Sequence, residues 1–572
     1  MKLILHYLRP FWAKISFGLT FKVCGTLCDL ILPLILAHIL DDVTPLGQLA
    51  PVALWGAAMM LCACGGLIGN VIGNRLAASI ARDAAQAMRH DLFEKTMLLS
   101  GAQVDRFTIP SLESRLTSDT YNVHHMIGRM QKLGVRAPVL LIGGILVSAT
   151  LEPALTLVLV AVMPLVAAVA WAVSRLGVPL YTAQQRAADG MVRVARENAQ
   201  GVRVIKALSR RDYEISRFAE VNQNLAGAAF RSAAVMGAAN PAITFFLNLG
   251  LAGVILTGAH RVHAGISEPG AITAFLVYFT LISNAMLSVA RMFILYSKGV
   301  ASAGRIAEVL AVPDELPIRS GSEIVEDSGY LSFENVSFSY HKDGKNHLEN
   351  ISFQLRHGQT LGIIGATGSG KSTLLSLLMR FYDPGSGVIR LEGRDIREIP
   401  HYRERFGSAL QQDFLYSGTV LENLDFGRNL PEDALRRAAE AAQAAEFISA
   451  FEDGLAHSIS SKGVNLSGGQ RQRLLIARAL AGTPEILVLD DASSALDYRT
   501  DAALRQALRG QACAATIIAA QRISSIMHAD LILVLDEGRI VAQGTHEQLM
   551  AECAVYHEIA ETQLETYVMG KE

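Results

Sequence analysis

Three short stretches carry residues whose types and spacing can do chemistry. The first is Gly365-Ala366-Thr367-Gly368-Ser369-Gly370-Lys371-Ser372-Thr373, which follows a β-rich run and leads into a helical one. Glycines there let backbone N–H groups converge on phosphate oxygens at a helix N-terminus. Lys371 neutralises charge, and the Ser372 hydroxyl can reach magnesium. The second is EILVLDD, in which an aliphatic strand ends in Asp490, placed to hold Mg2+ through water, with a further acid at Asp491. The third, Leu466-Ser467-Gly468-Gly469-Gln470, runs directly into the helical stretch RQRLLIARALAG and forms a second anion-binding helix start. One glycine-rich loop already surrounds the phosphates of an ATP, so two such sites in one domain make sense if they serve different nucleotides.

The elements that position these residues occupy only half the chain. Of 572 residues, 51% are hydrophobic and 18% charged, a balance that leans towards a membrane protein. The apolar excess sits almost entirely before about residue 300. The net charge of −2 makes no electrostatic case for nucleic-acid binding. The six cysteines (Cys24, Cys28, Cys62, Cys64, Cys513 and Cys553) form neither a disulfide framework nor a zinc spacing and read as buried thiols.

A spanning helix needs about 20 mainly apolar residues. Segments near 15–40, 51–80, 136–151, 154–174, 241–260 and 270–296 qualify, preceded by an interfacial helix in MKLILHYLRPFWAK. Connections after the first, third and fifth are short; those after the second and fourth are long and basic. The positive-inside rule then puts the long connections and both termini in the cytoplasm. Apolar residues recur at helical spacing through the long connections, so spans two to five are expected to project as long helices. Turns near 107–115 and 207–213 would close the two projecting pairs. Charge inside the first span is costly: Asp29 and Lys22 share a helix face about 10.5 Å apart. Asp29 reads either as a cavity acid meeting a cationic substrate or a proton, or as an acid bonded to a neighbouring helix.

After a polar linker (312–329), strand-like and helical runs alternate as in an α/β domain. With these motifs together, the chain resembles a half-molecule of the ABC transporter family, exporter type. The resemblance covers essentially the whole chain. It implies an all-α membrane domain of six transmembrane helices with long cytosolic extensions (1–310), a linker (311–330) and an α/β P-loop nucleotide-binding domain (331–572). It further implies that Tyr340 stacks on adenine and that Gln411, beside Gln412, contacts magnesium and the attacking water. Ser494-Ala495-Leu496-Asp497 would cross to a second chain, and the two turns would couple motion to the membrane. In this family two nucleotide domains sandwich two ATP molecules head to tail, each P-loop facing the other chain's LSGGQ. Only one such domain is present here, so a second half-transporter is required as partner.

The chain departs from the family pattern where hydrolysis is concerned. Asp491 stands where the catalytic glutamate is expected, and Gln521, in ATIIAAQRISSI, where a histidine contacts the γ-phosphate. Ser461 replaces an acid often found before the signature. A carboxylate shortened by one methylene sits about an ångström short of the water, and such misplacement can cost roughly 100-fold. Gln521 can hydrogen-bond phosphate but carries no positive charge. The expectation is a subunit of a heterodimeric exporter in a bacterial cytoplasmic membrane. Its own site binds ATP but hydrolyses it poorly, while its LSGGQ completes the partner's site. Lipophilic or multidrug substrates follow by family analogy alone. The alternatives are an active homodimer, an exporter-fold importer and an ATP-gated regulator.

Overall fold

The computed structural model describes residues 1–572 apart from 314–315, 319–320, 322–324, 326–328, 342–343, 412, 493 and 570–572. Side chains at 170, 174, 290, 291, 293, 294 and 564–569 are likewise not described. Much of the expected linker, and Gln412, therefore lie outside the described residues.

The chain forms two units, residues 1–97 with 110–312, and residues 98–109 with 313–572. In the first, α1 (Lys2–Leu8) precedes α2 (Trp12–His38) and α3 (Leu49–Met97). The short α4 (Gly101–Phe107) belongs to the second unit, and α5 (Ile109–Ser114) leads into α6 (Thr120–Leu151). Then come α7 (Pro153–Gln200), α8 (Val202–Ala207), α9 (Arg211–Gly237), α10 (Ala239–His263) and α11 (Pro269–Leu310). Among the described residues, six helical segments are long and apolar enough to cross a membrane.

Small residues let two of these helices approach closely. A Cβ on Gly69 of α3 would meet the Phe21 carbonyl oxygen of α2 at 2.7 Å, and one on Gly25 would meet the Gly66 carbonyl at 3.0 Å. Close backbone packing of this kind replaces the hydrophobic drive that lipid cannot supply. Pro153, at the first position of α7, makes the expected hairpin after Leu151. The closing turns stand where expected, at Thr108 (φ 64°) between α4 and α5 and at Leu208–Arg210 between α8 and α9, where Ser209 has φ 52°. Each is preceded by a further break, the first at Leu98–Ser100, where Ser100 and Gln103 cap α4 reciprocally, and the second at Gly201. Helical periodicity alone does not locate a break; the capping box and the glycine do.

The second unit contains β1 (Leu331–Phe338), β2 (Leu348–Leu355), β3 (Gln359–Ile364), α12 (Lys371–Leu378), β4 (Ser386–Leu391), β5 (Arg394–Asp395) and β6 (Phe406–Ala409). β7 (Gly418–Thr419), α13 (Val420–Asp425), α14 (Glu432–Ala441), α15 (Ala445–Ser449), β8 (Ser458–Ile459) and α16 (Gly468–Leu480) follow. The chain continues with β9 (Ile486–Asp490), α17 (Tyr498–Arg509), β10 (Ala515–Ala519), α18 (Ile523–Ile526), β11 (Leu531–Asp536) and β12 (Arg539–Gly544). It ends with α19 (His546–Glu552) and α20 (Ala554–Met569). An antiparallel sheet runs β2-β1-β4-β5, and a larger one β12-β11-β3-β10-β9-β6, parallel except for its β12 edge. Every residue of β9 is buried, as expected for a parallel strand covered on both faces. Each of its aliphatic side chains contributes about 1.5–3 kcal/mol of burial.

Candidate nucleotide site

Ligands of open parallel sheets bind outside the carboxyl ends of the strands. Here the neighbours β3, β10, β9 and β6 deliver, in that spatial order, the P-loop, Gln521, the pair Asp490–Asp491, and Gln411. Together they line one cavity of about 450 Å³. Residues far apart in sequence therefore meet because of strand order.

The P-loop is shaped for an anion. A Cβ on Gly365 would strike the Leu535 carbonyl oxygen at 2.2 Å, so only glycine fits there. Gly370, at φ 106°, turns the loop into α12, and Gly368, at φ 86°, faces open space. The Ser369 hydroxyl is buried without a hydrogen-bond partner in the loop. An orphaned donor beside a glycine cradle at a helix start fits a phosphate group. Lys371 Nζ donates to the carbonyl oxygens of Gly365 (2.7 Å) and Ala366 (3.0 Å). Burial pushes its pKa down, opposed by the carboxylates of Asp490 and Asp491.

Ser372 Oγ donates to Asp490 Oδ2 at 2.9 Å, which joins the two groups expected at magnesium. Burial pushes the Asp490 carboxyl up, and nearby Asp491 adds to this, while Ser372 and Lys371 counteract it. A divalent cation would offset that cost. Ser372, Asp490 and Gln411 are the residues that would hold it, and it would neutralise charge on the phosphates.

Asp491 has a left-handed backbone (φ 51°), and its N–H donates to the Ala519 carbonyl at 2.8 Å. Its Oδ2 accepts a hydrogen bond from Gln521 Nε2 at 3.2 Å. Asp491 and Gln521 thus engage each other in the lining of the cavity. Tyr340 is not part of the cavity lining, but its hydroxyl donates to Thr373 Oγ1 at 3.3 Å. Its ring meets those of Phe338, His347 and Tyr382 edge-on.

Leu466–Gln470 lie apart from this cavity. Ser467 caps α16: its hydroxyl accepts from Gln470 N–H at 3.2 Å, and its own N–H donates to Gln470 Oε1 at 2.9 Å. Gln472, one turn into α16, donates to Ser494 Oγ and accepts from Ala495 N–H, both at 2.9 Å. The signature helix therefore fixes the loop that begins at Ser494. Leu496 is buried in that loop, and Asp497 caps α17 by accepting from Thr500 N–H at 2.7 Å.

Sequence reasoning missed Lys345, Asn346 and His347, which line the cavity from the β1–β2 loop, and Glu537–Gly538 from the β11–β12 turn. The polar run HKDGKNH directly after Tyr340 was the available signal. In the other unit, Asp29 accepts from Arg136 Nη2 at 3.1 Å and from Asn70 Nδ2 at 3.4 Å. Asp29 is thus bonded to neighbouring helices, the second of the two readings its sequence position allowed.

Residues 15–286 match the family described as ABC transporter transmembrane region, and residues 348–494 match the family described as ABC transporter. An uncharacterised ABC transporter ATP-binding protein of Mycobacterium tuberculosis is 35% identical across 100% of this chain and 99% of its own length. The uncharacterised YfiB of Bacillus subtilis is 32% identical over 98% of each chain. A fatty acid ABC transporter ATP-binding/permease protein of Mycobacterium tuberculosis is 32% identical over 82% of this chain and 75% of its own. Among solved structures, a bacterial Atm1-family ABC exporter with ATP bound superposes with a TM-score of 0.81 at 25% identity, covering 97% of this chain and 98% of that one. With the membrane helices, the ATP-binding sheet and these full-length relatives in agreement, the chain belongs to the ABC transporter family as an exporter-type half-transporter.

Proposed function

We propose that this chain is the weakly hydrolytic half of a heterodimeric exporter. The observation that carries the reading is the hydrogen bond between Asp491 and Gln521 beside a complete P-loop. The acid that would orient the attacking water is short and tied to an uncharged amide, whereas every group needed to bind ATP with Mg2+ is present. The roles of Tyr340, Gln411 and the loop Ser494–Asp497 follow the family pattern. The intact Leu466–Gln470 signature then serves the P-loop of a second half-transporter with glutamate and histidine at the corresponding positions. Hydrolysis at that second site drives a lipophilic or multidrug-type substrate out across a bacterial inner membrane, with both termini cytoplasmic. The likeness to a fatty acid transporter supports a lipophilic cargo.

The test is nucleotide binding and turnover by the purified chain alone. ATP is expected to bind with magnesium while turnover stays roughly 100-fold below that of an assembly containing a competent second site. Fast hydrolysis by the lone chain, abolished by Lys371→Ala, would overturn the reading.

A further inference from the structure

We propose that Gln563, on α20, is a positioning residue for the nucleotide site. It clamps the backbone around Gln521 and thereby sets how strongly this site prefers ATP to ADP. The proposal rests on the reading that Gln521 meets the γ-phosphate, and adds the residue that holds it in place.

Gln521 and Arg522 lie in the short connection between β10 and α18. Connections of this kind move readily unless something outside them holds their backbone. Here one side chain reaches both sides of Arg522. Gln563 Nε2 donates to the Gln521 carbonyl oxygen at 2.9 Å, and its Oε1 accepts from the Ile523 N–H at 2.8 Å. That N–H belongs to the first turn of α18, where no intrahelical acceptor exists. A single amide group therefore satisfies a backbone acceptor and a backbone donor of the same connection.

The packing of α20 fixes where Gln563 stands. Tyr556 and Ala560 are fully buried, and Gln563 follows them at helical spacing on the same face. Tyr556 and Ala560 join one apolar cluster with Ala520 and Ile523, which flank the connection on its two sides. The Tyr556 hydroxyl shares a hydrogen bond with His546 Nδ1 at 2.8 Å, which ties α20 to α19 as well. An apolar residue would continue this face at position 563. An amide stands there instead, bonded to two backbone groups.

With its backbone held, the connection works from a fixed base. Gln521 Nε2 donates to Asp491 Oδ2, and Arg522 Nη2 donates to the Ser494 carbonyl oxygen at 3.3 Å. Moving the Gln521 amide from Asp491 to a γ-phosphate then requires only side-chain torsions. A connection that is ordered beforehand adds no ordering cost when ATP binds. ADP lacks the γ-phosphate and gains nothing from the clamp.

The experiment measures the affinity of the full chain in nanodiscs for the magnesium complexes of ADP and of β,γ-imido ATP, which is not cleaved. Gln563→Ala is expected to weaken imido-ATP about fivefold or more and to leave ADP unchanged. Gln563→Glu still accepts from the Ile523 N–H, but its carboxylate cannot donate to the Gln521 carbonyl, so the same loss is expected. Parental affinity in Gln563→Glu would reduce Gln563 to a cap on α18 and overturn the proposal. Gln521→Ala should lose at least as much as Gln563→Ala, and the double variant no more than Gln521→Ala alone. Additive losses, or equal weakening of both nucleotides by Gln563→Ala, would overturn the positioning role. So would a silent Gln563→Ala beside a damaging Gln521→Ala, with the reading of Gln521 left standing. Unchanged imido-ATP affinity in Gln521→Ala would overturn that reading itself and the proposal with it.

Discussion

Two side chains, Asp491 and Gln521, carry the proposed division of labour. The Asp491 carboxylate accepts a hydrogen bond from the uncharged Gln521 amide. Because the P-loop and Asp490 line the same cavity, the proposed defect is local and can be tested by restoring these two residues. Asp491→Glu with Gln521→His is expected to raise hydrolysis at this chain's own site by about 10–100-fold. Assembly with a second half-transporter whose own site is disabled isolates that signal, and phosphate release measures it. The left-handed backbone at Asp491 costs a glutamate slightly more than an aspartate, so recovery is expected to be incomplete. No gain at all would place the defect elsewhere.

At the scale of elements, α12 and α16 begin in anion-binding turns that serve different nucleotides in the proposed assembly. α12 carries Lys371 at this chain's own cavity, while α16 presents Ser467 and Gly469 away from it. A Cβ on Gly469 would lie 3.3 Å from the Ala495 carbonyl oxygen, so a side chain there demands only a small shift. Gly469→Asp therefore leaves the fold standing and brings a carboxylate against a phosphate. It is expected to remove most ATPase activity of the two-chain assembly, although this chain's P-loop is untouched. Lys371→Ala is expected to cost less, since it weakens only the holding site. Steady-state ATPase at saturating ATP compares the two; equal damage would contradict the division of labour.

Across the whole molecule, the two units rest on different forces. The nucleotide unit buries aliphatic strands such as β9, whereas the membrane unit relies on glycine-mediated contact between α2 and α3. Gly69→Val forces a side chain against the Phe21 carbonyl and is expected to destabilise the membrane unit by about 1–3 kcal/mol. Thermal unfolding of the full chain in nanodiscs should register a lower transition, with ATP affinity unchanged. Gly56→Val, at a position open to its surroundings, provides the control and should melt like the parent. A loss of ATP binding in Gly69→Val would show that the units do not respond separately.

Local chemistry is legible in the sequence by itself. Glycines before Lys371, the aliphatic run into Asp490 and twenty-residue apolar segments each declare their role through short-range geometry, and the family resemblance follows from them. Periodicity also marks the long projecting helices and the turns that close them, but it does not show the further break at Leu98–Ser100, because capping by Ser100 and Gln103 is a side-chain event that apolar spacing does not register. What only the tertiary structure decided was adjacency. Strand order β3-β10-β9-β6 is set by long-range pairing, and it alone puts Gln521 within hydrogen-bonding distance of Asp491. Helix packing likewise decided the fate of Asp29. Its span predicts a buried acid, but which charge meets it depends on which helix lies alongside, and that helix brought Arg136.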